Sequence, residues 1–268
     1  ATPYLVAAMG SHGSANAQNQ REILSGYGIT EDAIGAQIIS DMETINLGET
    51  KHGLAVHIDR FAANCDGIIV VGRVKPHTDF RGPVESGLCK MIAIGLGKQH
   101  GASICHKAGF EYMSQNIYDI AEIIISKKLI LCGVGIVEDA NHNTAKISIV
   151  PAECILTEEQ HLLEYAKQLM PRIPYPKVDI IILNEMGKNI SGPGMDPNVT
   201  GRSFRLGISE PFAERIVVLD LTEESHQNAI GVGMADLITK RLYEKMDLNT
   251  MYVNAVTAND PECVKIPV

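Results

Sequence analysis

The sequence predicts an α/β protein of two α/β domains with largely parallel sheets and the active site in the cleft between them. Three observations carry that expectation. Short apolar runs alternate with helical patterns along all 268 residues, the order of βαβ units rather than of a sandwich or a bundle. Several runs, Gly67–Arg73 and Leu129–Val137 among them, are apolar at most positions, as buried strands are. Pro171-Arg-Ile-Pro-Tyr-Pro176 then sets three prolines within six residues. Proline cannot continue a helix and stiffens a connection, so a boundary falls here between domains 1–170 and 177–268.

Tyr4–Met9 is the first buried strand, halted at Gly10. Ser14 is placed to cap a helix over Ala15–Leu24 that Gly26 stops. Thr30 is placed to cap a second short helix, and a polar strand or hairpin follows around Glu43–Asn46. A helix near His57–Asn64 leads to Gly67–Arg73, which reads as a central parallel strand. Glu111–Ile124 is helical, and Leu129–Val137 and Lys146–Pro151 are strands. Thr157 with Gln160 has the pattern of a capping box for a helix reaching Met170. Beyond the prolines, Val178–Leu183 and Ile216–Leu221 are buried strands, Gly231–Lys245 is an amphipathic helix and Met251–Val256 closes the chain.

Composition narrows the function. A net charge of −9 leaves no basic footprint for nucleic acid, so counter-charge for an anionic ligand must be local. The six cysteines are scattered without a Cys-x-x-Cys pair, which favours reduced thiols in the cytoplasm over a disulfide framework or a structural zinc site. No apolar run approaches the ~20 residues that span a bilayer. The chain opens at Ala1-Thr-Pro3 on an apolar strand and ends at Lys265-Ile-Pro-Val268, and it reads as a fragment of a longer protein.

Reactive groups concentrate in Val74–His106. His77, His100, His106, Lys75, Lys90, Lys98, Arg81, Asp79 and Glu85 share this stretch with glycines and prolines. Gly and Pro weaken regular structure while charges and imidazoles resist burial, so the stretch reads as a site. His12, in Gly10-Ser-His-Gly13, and His77, in Lys75-Pro-His77, each follow an apolar strand. Ligands of open α/β sheets bind at the carboxyl ends of strands, and imidazole exchanges protons near neutral pH. Gly95-Leu-Gly-Lys98 is followed by Gln99, not Ser or Thr, so it is no Walker loop. Lys75, Lys98 and Arg81 either hold a phosphate or carboxylate or are solvated loop charges.

Gly10-Ser-His-Gly13, then Lys75-Pro-His77 and the Lys90 loop, resembles the nickel-dependent lactate racemase family. The likeness is strongest from Ala7 to Gly101. It implies a racemase or epimerase of a small 2-hydroxy acid, with proton-coupled hydride transfer to a nickel-pincer nucleotide. That cofactor is a pyridinium-3,5-bisthiocarboxylic acid mononucleotide gripping nickel through two sulfurs and a ring carbon. Carried over, His12 and His77 are the catalytic histidines and Lys90 the cofactor-attachment lysine; Lys75 and Lys98, as nearby cations, are expected to be further cofactor contacts. His106, sixteen residues past Lys90, is the expected nickel ligand, with His100 the alternative. Oxidation to the 2-keto acid and re-reduction on the other face avoids removing a weakly acidic α-proton, but the hydroxyl proton needs a base for each enantiomer. Arg81, Lys188 and Arg202 are expected to face the substrate carboxylate; the last two flank the Gly/Pro-rich run Asn189–Gly201 after the strand Val178–Leu183. The competing readings are a metal-dependent hydrolase or lyase on the same fold, and a non-catalytic nucleotide-binding module.

Overall fold

Parallel pairing of the apolar runs organises a computed structural model that describes residues 1–107, 109–258 and 264–267, in two units, Ala1–Leu169 and Met170–Val268. The first unit contains β1 (Tyr4–Val6), α1 (Ala17–Gly26), α2 (Glu31–Ile34), β2 (Gln37–Ile39), β3 (Thr44–Glu49), β4 (Ala55–Asp59), α3 (Arg60–Ala63) and β5 (Ile68–Arg73). There follow α4 (Leu88–Lys90), which runs into a π-helical stretch (Met91–Gly95), α5 (Lys98–Lys107), α6 (Met113–Ser126), β6 (Ile130–Glu138), β7 (Thr144–Pro151) and α7 (Ile155–Leu169). The fold is α/β.

β5 runs parallel to β6, Val71 opposite Val134, and β6 runs antiparallel to β7, Val134 opposite Ile149. The middle strand is therefore β6, and Gly67–Arg73 is not the central strand expected. The tight turn after β6 explains this: the Asp139 carboxylate accepts the backbone N–H groups of Asn141 and Asn143, so the chain doubles straight back and β7 takes the free edge. Leu88, Ile117, Ile120, Ile124, Leu162 and Leu163 fill the core. On the sheet's other face Ile69, Val71, Ile147 and Ile149 are exposed. Parallel pairing also joins β1 to β2, whereas β3 and β4 form an antiparallel hairpin, so the sheets of this unit are mixed.

Local hydrogen bonds move several boundaries. Asn16, not Ser14, caps α1, its side chain accepting from the N–H of Gln18 at 2.9 Å and of Asn19 at 3.1 Å. Ser14 sits in the left-handed region at φ 56° and caps nothing. Asn16→Ala is expected to lower stability by about 1 kcal/mol, seen as a smaller urea midpoint at unchanged m-value. Thr30 does cap α2. The expected helix His57–Asn64 is a strand followed by one helical turn, because Asp59 accepts from Ala62 N–H at 2.7 Å and starts α3 only there. Thr157 lies inside α7 and donates to Cys154 O, so it is no cap.

The second unit holds β8 (Lys177–Leu183), α8 (Pro197–Thr200), β9 (Arg202–Ser203), β10 (Gly207–Ile208), β11 (Phe212–Val218), β12 (Leu237–Ile238), α9 (Lys240–Lys245) and α10 (Leu248–Ala258). β12, β11 and β8 form a parallel sheet over a core of Ile181, Met186, Ile216, Val218, Leu242 and Met251. The helix expected over Gly231–Lys245 is broken. Asp236 accepts from Ile216 N–H at 2.7 Å and its own N–H donates to Ile216 O, which draws the chain onto β11 as β12. Thr239 then caps α9. Among the described residues no helix is long and apolar enough to cross a membrane. Cys65, Cys89, Cys105, Cys132 and Cys154 are free thiols; Cys263 lies outside the described residues.

Candidate active site

β5 ends at Arg73, and the chain then makes a closed loop. Lys75 and Ser86 exchange two backbone hydrogen bonds, of 2.8 and 3.2 Å, which ties the loop at its base. Inside it, the buried Glu85 carboxylate accepts the His77 backbone N–H at 2.7 Å. The imidazole of His77 stacks on Phe80 at 4.1 Å and is only 16% exposed. Its Nδ1 accepts the Asp79 backbone N–H at 3.0 Å, which in the neutral ring leaves the proton on Nε2 as a donor. Burial, reinforced by Lys90, Lys75, Arg81 and His106, holds His77 well below the usual imidazole value, so the ring is neutral at pH 7.

Lys90 ends α4 where the helix widens into the π-helical stretch, closed by Leu96 N–H to Met91 O. Such single π turns often accompany functional sites. Burial first, then the Lys75 charge, pushes the Lys90 amine down to about 8, partly opposed by Asp79 and Cys105. Its Nζ lies 3.5 Å from Ser86 Oγ. His106 stands exposed near the end of α5 with its ring edge-on to Phe110 at 5.3 Å, and its charge is felt at His77. His77, Lys90, Lys75, Arg81 and His106 are thus brought into one electrostatic cluster. Arg81 donates to His77 O at 2.5 Å and to Phe80 O at 3.1 Å, and lies 3.7 Å from Glu85.

His100 lies elsewhere. It stacks on His57 at 5.2 Å, both Nδ1 atoms facing Thr44 Oγ1. Lys98 corrects an expectation. It is wholly buried, 2.9 Å from Asp59 and donating to Ala7 O at 2.6 Å, so its amine is committed to the core and not to a cofactor phosphate. His12 is exposed on the loop after β1. That loop is seated on the π-helical stretch: Gly10 N–H reaches Gly95 O at 3.4 Å, and a Cβ on Gly95 would lie 2.7 Å from Ala8 O. Only glycine permits that approach, which brings the His12 loop against the segment joining Lys90 to His106.

In the second unit, Lys188 donates to Gly192 O at 3.2 Å and remains exposed. Arg202 pairs with Asp236 and donates to Met234 O and Ala213 O, which makes it a brace for β9, β11 and β12 and corrects its expected substrate role. Two residues without an expected role prove close to this cluster. Glu159 of α7 is fully buried and accepts the Cys89 N–H at 2.6 Å, and Lys167 of the same helix lies 3.3 Å from Glu85. Glu159 stands on the apolar stripe Ile155, Leu162, Leu163, Ala166, and a carboxylate at a core position of a helix was the available signal.

A neutral imidazole, a low-pKa amine and neighbouring cations make a site for a small anion that exchanges protons. Residues 4–116, which include His12, His77, Lys90 and His106, match the family described as lactate racemase N-terminal domain. Among solved structures it is similar to the lactate racemase apoprotein of Thermoanaerobacterium thermosaccharolyticum, with a TM-score of 0.54 at 13% identity over 99% of this chain and 76% of that one. At that identity the likeness is one of fold. No curated protein matches the chain.

Proposed function

We propose that the protein racemises or epimerises a small lactate-like 2-hydroxy acid with the help of a nickel-pincer nucleotide. The observation that carries this reading is the Lys90 amine, lowered to about 8 and set beside the neutral His77 within the segment that matches the family. A depressed, half-buried amine is the nucleophile that covalent cofactor attachment needs. The donor set fits as well. Among the described residues no three His, Cys, Asp or Glu side chains stand together to hold a metal, so nickel would need the cofactor's own sulfur and carbon donors, with His106 as the protein ligand. When bound, the nucleotide supplies a hydride acceptor.

The chain's part is the hydroxyl proton and the charge. The two enantiomers present that hydroxyl in different directions, so two imidazoles are required, each taking the proton from one and returning it to the other. His12 and His77 are that pair; with Nδ1 accepting the Asp79 N–H, neutral His77 carries its proton on Nε2, and it takes a proton there only once that amide bond gives way and the ring changes tautomer. Lys75 and Arg81 supply counter-charge for a carboxylate or a phosphate. Burial of His77 against Phe80 limits water at the proton-transfer step. The free thiols support a reducing, cytoplasmic setting.

The test is to load the protein with the nickel-pincer nucleotide, then measure metal content and intact mass. One nickel per chain and a mass increment on Lys90 are expected, with nickel lost in His106→Ala. Nickel retained in that variant would move the ligand to His100. Neither nickel nor an increment would end the reading.

A further inference from the structure

One helix outside the family-matched segment reaches both working groups of the site. α7 begins at Ile155, well past residue 116 where the match ends. Its Glu159 side chain accepts the backbone N–H groups of Leu88 and Cys89, the buried start of the helix that carries Lys90. Those N–H groups have no partner within the helix, and the residue before them, Gly87, makes no side-chain cap. The fit is close: a Cβ on Gly87 would lie 2.3 Å from Glu159 Oε1. Two turns further on, Lys167 lies 3.3 Å from Glu85, whose other oxygen accepts the His77 N–H. Glu85 and Glu159 are both buried, so neither carboxylate has water as a substitute partner.

We propose that α7 is the positioning element of the active site, with Glu159 fixing the Lys90 helix and Lys167, through Glu85, fixing the His77 backbone. Both are positioning residues and touch no substrate. The inference deepens the racemase reading but is tested on the unloaded full chain, where turnover plays no part.

The first readout is the pH profile of Lys90 acylation by an amine-reactive reagent, located by peptide mass spectrometry. Its midpoint should lie near 8 in the wild type. In Glu159→Leu the helix start loosens, the amine gains water, and the midpoint should rise by at least one unit, which cuts labelling at pH 7 roughly tenfold. Glu159→Gln keeps an acceptor for the two N–H groups without the charge and should hold the wild-type midpoint, which separates positioning from a direct charge effect. The second readout is hydrogen exchange at the His77 amide, expected to quicken about tenfold or more in Lys167→Met and to return in Lys167→Arg. Should Glu159→Leu fail to fold, Gly87→Ala displaces the same carboxylate and must raise the midpoint likewise. Folded variants with an unmoved Lys90 midpoint and unmoved His77 exchange would overturn the proposal. A Gln variant that raises the midpoint as far as Leu does would show that the retained acceptor does not hold the helix start, and a fall in both variants would reduce Glu159 to a charge; either result overturns its half. A positive outcome without racemisation by the loaded protein would sink the racemase reading alone.

Discussion

Substitution of His77 by Asn is expected to lower kcat for racemisation roughly 10²–10⁴-fold in both directions, the usual cost of removing a positioned general acid–base. The variant should still fold. What holds the loop is mostly main chain, since His77 N–H donates to Glu85 and His77 O accepts from Arg81, and both bonds survive the change of side chain. KM should move little, because the counter-charges Lys75 and Arg81 remain. Initial rates from each enantiomer, with a far-ultraviolet spectrum to verify folding, decide the matter. A loss of less than tenfold would remove His77 from the proton-transfer pair.

Lys98→Met should give the largest loss of stability. Lys98 and Asp59 are both fully buried, 2.9 Å apart, and removing the cation strands a carboxylate in the core. The expected cost is roughly 3–5 kcal/mol, the range for breaking a buried pair from one side. In a unit of this size that corresponds to a fall in Tm of about 10 °C. The double variant Lys98→Met/Asp59→Asn should recover much of it, because the amide oxygen it introduces can still accept from Ala62 N–H at the start of α3 while carrying no charge. Calorimetry on the single and double variants checks both statements. A single-variant cost below about 1 kcal/mol would show that the pair contributes nothing net.

The fold class was legible in the apolar runs, because burial in a sheet leaves its record residue by residue. Strand order was not. Nothing in Gly67–Arg73 says whether the chain after β6 will cross over or turn back, and that choice rests on Asp139 capping one short turn. The caps failed for a related reason: Ser14 and Thr157 have the right chemistry, but a cap is defined by backbone angles that neighbouring residues set. His77, Lys90 and His106 stand out in the sequence as reactive groups amid glycines, and the structure brings their charges together. Lys98 and Arg202 misled for the opposite reason. A basic side chain in a Gly-rich run looks available until its carboxylate partner, distant in sequence, is seen beside it.

The bare side of the β5–β6–β7 sheet bears on how these measurements are made. Ile69, Val71, Ile147 and Ile149 are 57%, 53%, 62% and 75% exposed, and the strand register sets Val71 and Ile149 on either side of Val134. A contiguous apolar surface of this kind takes up solvatochromic dyes in the native state. Dye fluorescence would then begin high and fall on heating as the patch disperses, the reverse of the usual melting signal. Heat capacity or circular dichroism reads the Lys98 variants without that inversion.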